Sequence, residues 1–369
     1  MGGLQRVRAP EIHAGAGGPT LCRAQELCRC SCNVSGAYIA CYCEFRSPVG
    51  NRKVLPVQTI LGANGQIGTE LAHELHRRFT KDIRLVSRNP ERLHDTDELV
   101  TADLMDAEQT ASAVAGSEIA YLTVGLPPDA KLWAERLPLM MENTIAACEK
   151  HGAKLVFFDN TYMYPMTGRP QTEQTRFAPA GSKAHTRATM ATILLEAMAA
   201  GRVEAVICRA PEFYGPGKTQ SFTNAMVFDP IAAGKKSRVP LRDDTLRTLI
   251  WTPDASRAMA LIGNTPSAYG QTWHLPCDDN RVTYRGLIEL ASASWGREID
   301  YSVMKRPVFF VARLFNQGVR ELWELLPRYE VDNLFVSDKF KRAFPEFRVT
   351  TYAEGVAAIQ AGEVMATVD

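Results

Sequence analysis

Three glycines, Gly62, Gly65 and Gly68, punctuate the segment Gly62-Ala63-Asn64-Gly65-Gln66-Ile67-Gly68, and their spacing is chemistry for an anion. The apolar run Val57 to Leu61 leads into them, and Ile67, Leu71 and Leu75 follow at helical spacing. Between a strand and a helix such glycines have separate jobs: the first permits a tight turn, the second lets backbone approach a pyrophosphate, and the third lets helix pack close to strand. The phosphates then lie at the positive end of the helix. A plain structural turn is the competing reading. The choice of cofactor is made about 20 residues further on, where an acidic side chain would hold a ribose 2′-hydroxyl. Ser87-Arg88 stands there instead, with no Asp or Glu. The planar guanidinium of Arg88 suits a 2′-phosphate, so NADP is expected over NAD; a solvated arginine opening a loop is the alternative.

These residues need a frame. From Val54 onward short apolar runs alternate with amphipathic stretches, the pattern of βαβ units and a parallel sheet. Strands are expected at Val57 to Leu61, Ile83 to Val86, a short segment ending at Asp103, Ile119 to Val124, Leu155 to Phe158 and Val203 to Cys208. Helices are expected after Gly68 through Arg78, over Leu139 to Lys150 behind Pro138, and over Ala188 to Ala199. Beyond Pro211 the alternation loosens, and Thr272 to Leu275 and the helical Tyr284 to Ser294 suggest a smaller lobe. The expected class is α/β: a Rossmann-type doubly wound parallel sheet with a smaller C-terminal α+β substrate lobe. Residues 54–210 would form the nucleotide domain and 211–369 the substrate-binding lobe, continuous with the core.

Residues 1–53 differ in character, rich in Gly, Cys and Arg, and read as a poorly structured extension without helical or strand periodicity. Six of the nine cysteines, Cys22, Cys28, Cys30, Cys32, Cys41 and Cys43, lie there. Paired zinc ligands usually have two residues between them, and these have one, so no metal is expected. Cys148, Cys208 and Cys277 stand singly in apolar elements, as small core hydrophobes of a reducing compartment do, and the cytoplasm is the expected location. With 42 basic and 41 acidic residues interspersed, the chain lacks the clustered positive charge that nucleic acid requires. No apolar run approaches the ~20 residues of a membrane span. A small-molecule substrate is the expected partner, with a homodimer left open.

Taken together these segments resemble the short-chain dehydrogenase/reductase superfamily, in its NAD-dependent epimerase/dehydratase branch of extended and atypical members. Its Gly-x-x-Gly-x-x-Gly spacing is matched at 62–68. Ala102-Asp103-Leu104 followed by Asp106 resembles the segment that caps the adenine, Val114 to Glu118 the turn before the fourth strand, and Asn143 to Ala147 the Asn-x-x-x-Ala helix. Arg209-Ala210-Pro211-Glu212-Phe213-Tyr214-Gly215-Pro216-Gly217 is similar to the segment after the sixth strand, and Trp251 to Ser256 to a later element that orders a helix in the substrate lobe. The resemblance spans roughly residues 54–359. It implies cofactor contacts from Gly62, Asn64, Gly65, Gln66, Ile67, Gly68, Arg88, Asp103, Leu104, Lys183, Pro211 and Phe213. Hydride transfer on a small hydroxyl or carbonyl compound is the implied reaction, in an oxidoreductase, epimerase or dehydratase.

The catalytic pattern of the family is only partly present. Members place a Ser or Thr after the fifth strand and a Tyr four residues before a Lys that holds the nicotinamide ribose. Lys183 matches the Lys, but Pro179 stands where the Tyr belongs. Asn160 falls nearest the Ser position and can hydrogen-bond a substrate oxygen without relaying a proton. The resemblance puts Tyr162 and Tyr164 beside the nicotinamide as substitute acids, with His185 a further candidate. Without any acid the chain would be an NADP(H)-binding sensor or interaction module, for which the apolar stretch Val308 to Tyr329 offers a partner surface. The same stretch reads also as an amphipathic helix lining the cleft or a dimer interface. Arg187, with Lys183 and Arg176, makes either a cationic rim for an anionic substrate or a solvated helix face. Phe213, Tyr214 and Trp251 are the rings expected to shape a substrate pocket.

Overall fold

The computed structural model describes residues 28–35, 38–45, 57–217 and 219–362. Two compact units divide at Val54 and Leu55. In the first, Cys28–Ser35 pairs antiparallel with Tyr38–Phe45, Cys30 opposite Cys43 and Cys32 opposite Cys41. This corrects the expectation of no strand periodicity before residue 54. Cys28, Cys30, Cys32 and Val34 alternate with Arg29, Ser31, Asn33 and Ser35, and cysteine counts as apolar in a two-residue repeat.

The second unit is built on seven parallel strands. In chain order they are β1 (Val57–Leu61), β2 (Ile83–Ser87), β3 (Glu98–Thr101), β4 (Ser117–Leu122), β5 (Lys154–Asp159), β6 (Ala205–Arg209) and an edge strand, Thr272–His274. Across the sheet the edge strand comes first, then β6, β5, β4, β1, β2 and β3. The order reverses between β1 and β4, which leaves a crevice at the strands' carboxyl ends where open α/β sheets bind ligands. Thr272–His274 thus completes the main sheet beside β6 and does not belong to a separate lobe.

Helices cover both faces. On one, α1 (Gln66–Arg78) packs on a later helix, Thr252–Gly263, over Ile60, Leu71, Leu75, Val206 and Met259. On the other, α2 (Ala107–Val114), α3 (Ala130–His151) and α4 (Ser182–Ala199) enclose Leu61, Leu122, Met141, Leu155 and Leu194. Strand β6 is buried at every position, which is why it reads as an unbroken apolar run. The helix α3 starts well before Pro138: Asp129 caps it by accepting from the Leu132 N–H, and Pro138 lies inside. Trp133, Leu137 and Met141 already follow helical spacing on the buried face, so packing carries the helix through the proline.

A third core gathers Tyr214, Phe228, Leu249, Trp251, Tyr284 and Tyr352. Leading away from it, α5 (Arg306–Phe315) exposes Val308, Phe310, Val311, Leu314 and Phe315. Next come a short helix, Gln317–Leu322, and a 3-10 turn, Trp323–Tyr329, where the sequence suggests one amphipathic helix.

Candidate active site

The glycine loop sits at the end of β1. Gly62 has φ +96°, and a Cβ there would lie 2.9 Å from Val124 backbone, so only glycine makes this turn beside β4. A Cβ on Gly68 would lie 2.7 Å from the Gly62 carbonyl oxygen and 2.9 Å from Ala63 Cα, so α1 meets the loop at backbone distance. Gly65 differs: its nearest neighbour would be the Gly62 oxygen at 3.4 Å, and that side is otherwise open. It begins α1 without a side-chain cap, so no side chain occupies the helix N-terminus. The loop therefore fits a pyrophosphate at the open, positive end of α1. Ile67 is buried below it. The Gln66 side chain turns inward, donating to Thr252 Oγ1 (2.8 Å) and Glu70 Oε1 (3.1 Å).

Asn64 links the loop to the end of β2 by donating to the Asn89 carbonyl at 2.7 Å. Beside Asn89, Arg88 is exposed and its guanidinium has no protein partner among the described residues. At the end of β3, Asp103 accepts from the Met105 N–H at 3.0 Å, and the Leu104 carbonyl accepts from buried Asn143 at 2.8 Å. This braces the turn against α3. Pro211 is buried and Phe213 half-buried against the core; Tyr214 and Trp251 are core rings 5.1 Å apart and line no open pocket.

The loop after β5 separates the two candidate tyrosines. Tyr164 is fully buried, its hydroxyl 2.8 Å from His274 Nε2 and 2.7 Å from the donating Arg209 guanidinium. Burial pushes the His274 pKa down to about 3, so the ring is neutral. Its Nδ1 faces the Val336 carbonyl at 2.8 Å, an acceptor, so Nδ1 carries the proton and Nε2 accepts. The Tyr164 proton is therefore committed to His274, and Tyr164 is withdrawn as a substrate acid. Arg209 also grips Asp159 Oδ2 at 3.1 Å, which ties β5 to β6 in a closed buried network.

Tyr162 lies on the other side of the loop, half-buried. Its ring stacks on Trp133 (6.2 Å between centroids) and the Arg328 guanidinium lies 5.2 Å from its centroid. Its hydroxyl has no protein partner among the described residues. Burial raises its pKa, opposed by Arg328, so the phenol holds its proton at neutral pH. Asn160 uses its oxygen to accept from the Tyr162 N–H at 2.9 Å, leaving its amide nitrogen without a protein partner among the described residues. Arg187 is not on a solvated face: it is 8% exposed, lies over Trp133 at 5.4 Å and stands 3.8 Å from Asp159. His185 is exposed and bonds back to the Gly181 carbonyl, away from this cluster.

Lys183 is 1% exposed, and its neighbours come from a distant part of the chain. The ammonium donates to the Glu321 carbonyl (2.9 Å), to the Glu321 carboxylate and to Glu324 Oε1 (3.0 Å). Glu324 also accepts from the Ser182 N–H at 2.7 Å and caps α4, while Glu321 accepts from the Ala130 N–H at 2.9 Å at the start of α3. Sequence reasoning missed Glu321, Glu324, Arg328 and Trp133. The one available signal was the Glu321-x-x-Glu324 spacing, two acids on one helical face within an apolar stretch.

Residues 59–274 match the model of the NAD dependent epimerase/dehydratase family. The chain belongs to that family. No curated protein matches it in sequence. Solved structures of similar fold include UDP-glucuronic acid 4-epimerase from Bacillus cereus in complex with NAD, 12% identical with a TM-score of 0.68, covering 83% of this chain and 98% of that one. UDP-glucose 4-epimerase from Thermus thermophilus, also with NAD, is 15% identical with a TM-score of 0.66 over 83% and 98%. A double mutant of DesIV, a dTDP-glucose 4,6-dehydratase from Streptomyces venezuelae, with NAD and DAU bound, is 15% identical with a TM-score of 0.68 over 83% and 96%. These likenesses agree with the Rossmann sheet. Membership makes this an epimerase/dehydratase-type protein with a nicotinamide dinucleotide, and nothing in the comparisons supports a degenerate sensor. Among the described residues, no helix is long and apolar enough to cross a membrane.

Proposed function

We propose that this epimerase/dehydratase-family chain is an NADP(H)-dependent enzyme that works by hydride transfer on a small hydroxyl or carbonyl compound. The observation that carries the reading is the open side of Gly65 at the uncapped start of α1, between two glycines whose places admit no side chain. The cofactor supplies the hydride or accepts it. Arg88, exposed and unpartnered among the described residues beyond β2, supports the 2′-phosphate form, although the related complexes named above hold NAD. Asp103 and Leu104 border the adenine side and Lys183 holds the nicotinamide ribose.

Tyr162 is the residue assigned to move the substrate proton. It alone of the two tyrosines has a hydroxyl free of protein partners among the described residues, and Asn160 beside it keeps amide donors for a substrate oxygen. Trp133 and Arg328 fix the ring on which that proton sits. Stopped-flow absorbance of bound NADPH with a panel of carbonyl compounds tests the assignment. Consumption that falls at least tenfold in Tyr162→Phe, in the range expected for loss of a general acid, supports it; consumption unchanged by that substitution rules Tyr162 out.

A further inference from the structure

Lys183 is already saturated. An ammonium has three donors, and Lys183 spends them on the Glu321 carbonyl, the Glu321 carboxylate and the Glu324 carboxylate. The side chain is buried at 1% exposure, with no room for a fourth partner without movement. If this lysine holds the nicotinamide ribose, as proposed above, the ribose hydroxyls and residues 317–329 compete for the same atoms.

We infer that residues 317–329 form a latch that occupies the nicotinamide end of the cofactor site and is displaced when the dinucleotide binds. Three anchors hold the latch besides Lys183. Glu321 caps the start of α3 through the Ala130 N–H, and Glu324 caps the start of α4 through the Ser182 N–H. Arg328 donates to the Tyr162 carbonyl at 2.6 Å and the Thr161 carbonyl at 3.2 Å, on the loop that carries the proposed proton donor. Gly181 is shaped to receive it: a Cβ there would lie 2.6 Å from the Glu324 carboxylate, at φ +94°.

The latch also has somewhere to go. It hangs between Tyr329, buried in the third core, and α5, whose outer face is already exposed. Glu321 and Glu324 are carboxylates on the rim of the site, 17% and 21% exposed, so water can replace their protein partners on release. The device is reciprocal: whatever stabilises the latched state weakens cofactor binding by the same factor.

Hydrogen exchange of the full chain with and without saturating NADPH, read alongside calorimetry of wild type and Glu321→Gln/Glu324→Gln, tests this. The latch predicts faster exchange over residues 317–329 in the wild type with NADPH bound. It predicts roughly tenfold tighter NADPH binding by the double variant, within the usual range of coupling between sites. Slower exchange of that segment, or unchanged or weaker binding by the double variant, overturns the latch and leaves the cofactor reading standing. Binding by neither protein overturns both.

Discussion

Glu70 and Gln66, one helical turn apart on α1, are joined at 3.1 Å beneath the glycine loop, and both reach Thr252 of the facing helix. The loop's position thus depends on a carboxyl that burial pushes up to about 7, against the hydrogen bonds of Thr252, Gln66 and Ser256. Below its ordinary pKa of 4.5 the group is neutral in both folded and unfolded chains. As pH rises toward 7 the unfolded chain ionises first, so the folded state loses stability across that window, by roughly 3 kcal/mol. Melting temperature followed from about pH 4.5 to 8 in wild type and Glu70→Gln will show this as a decline in the wild type that the variant lacks. Parallel curves would mean that Glu70 is not the group responsible.

Gly68 and Gly65 should separate folding from binding. A methyl at Gly68 meets backbone atoms at 2.7 and 2.9 Å, and backbone cannot step aside. Gly68→Ala is expected to cost about 1–3 kcal/mol of stability, as overpacking does. Gly65 has φ −74°, open to any residue, and space around it. Gly65→Ala should keep its denaturation midpoint near that of wild type while losing dinucleotide affinity. Equal loss of stability in both would remove the distinction between a packing glycine and a binding one.

Arg88 should read the 2′-phosphate. With the exposed guanidinium proposed to pair only with that group, Arg88→Ala is expected to weaken NADPH by ~1.5–3 kcal/mol, the worth of a charge-assisted bond, and to leave NADH almost untouched. Calorimetry of both cofactors on both proteins gives the answer, and an equal loss for NADPH and NADH would set the role aside.

The parts of this molecule legible in its sequence are those whose physics is local. The turn at Gly62, the helix that follows it, and the apolar run of β6 each declare themselves within a few residues. The choice between Tyr162 and Tyr164 does not. It rests on Arg209 and His274, 45 and 110 residues from Tyr164 in the chain, which claim one hydroxyl and leave the other free. Lys183 is the same case at greater range: its position in α4 follows from its neighbours, but Glu321 and Glu324, 138 and 141 residues away, decide what it touches. Pro138 misled for the converse reason. Its local preference for a first turn was overruled by a buried face that begins earlier, at Trp133.

The central claim is that the glycine loop holds a dinucleotide, and the most direct measurement is a calorimetric titration of the full chain with NADPH and, separately, with NADH. The account predicts saturable binding with NADPH the tighter ligand; no binding of either would mean that the loop at Gly62, Gly65 and Gly68 is a structural turn, and would contradict the proposed function at its base.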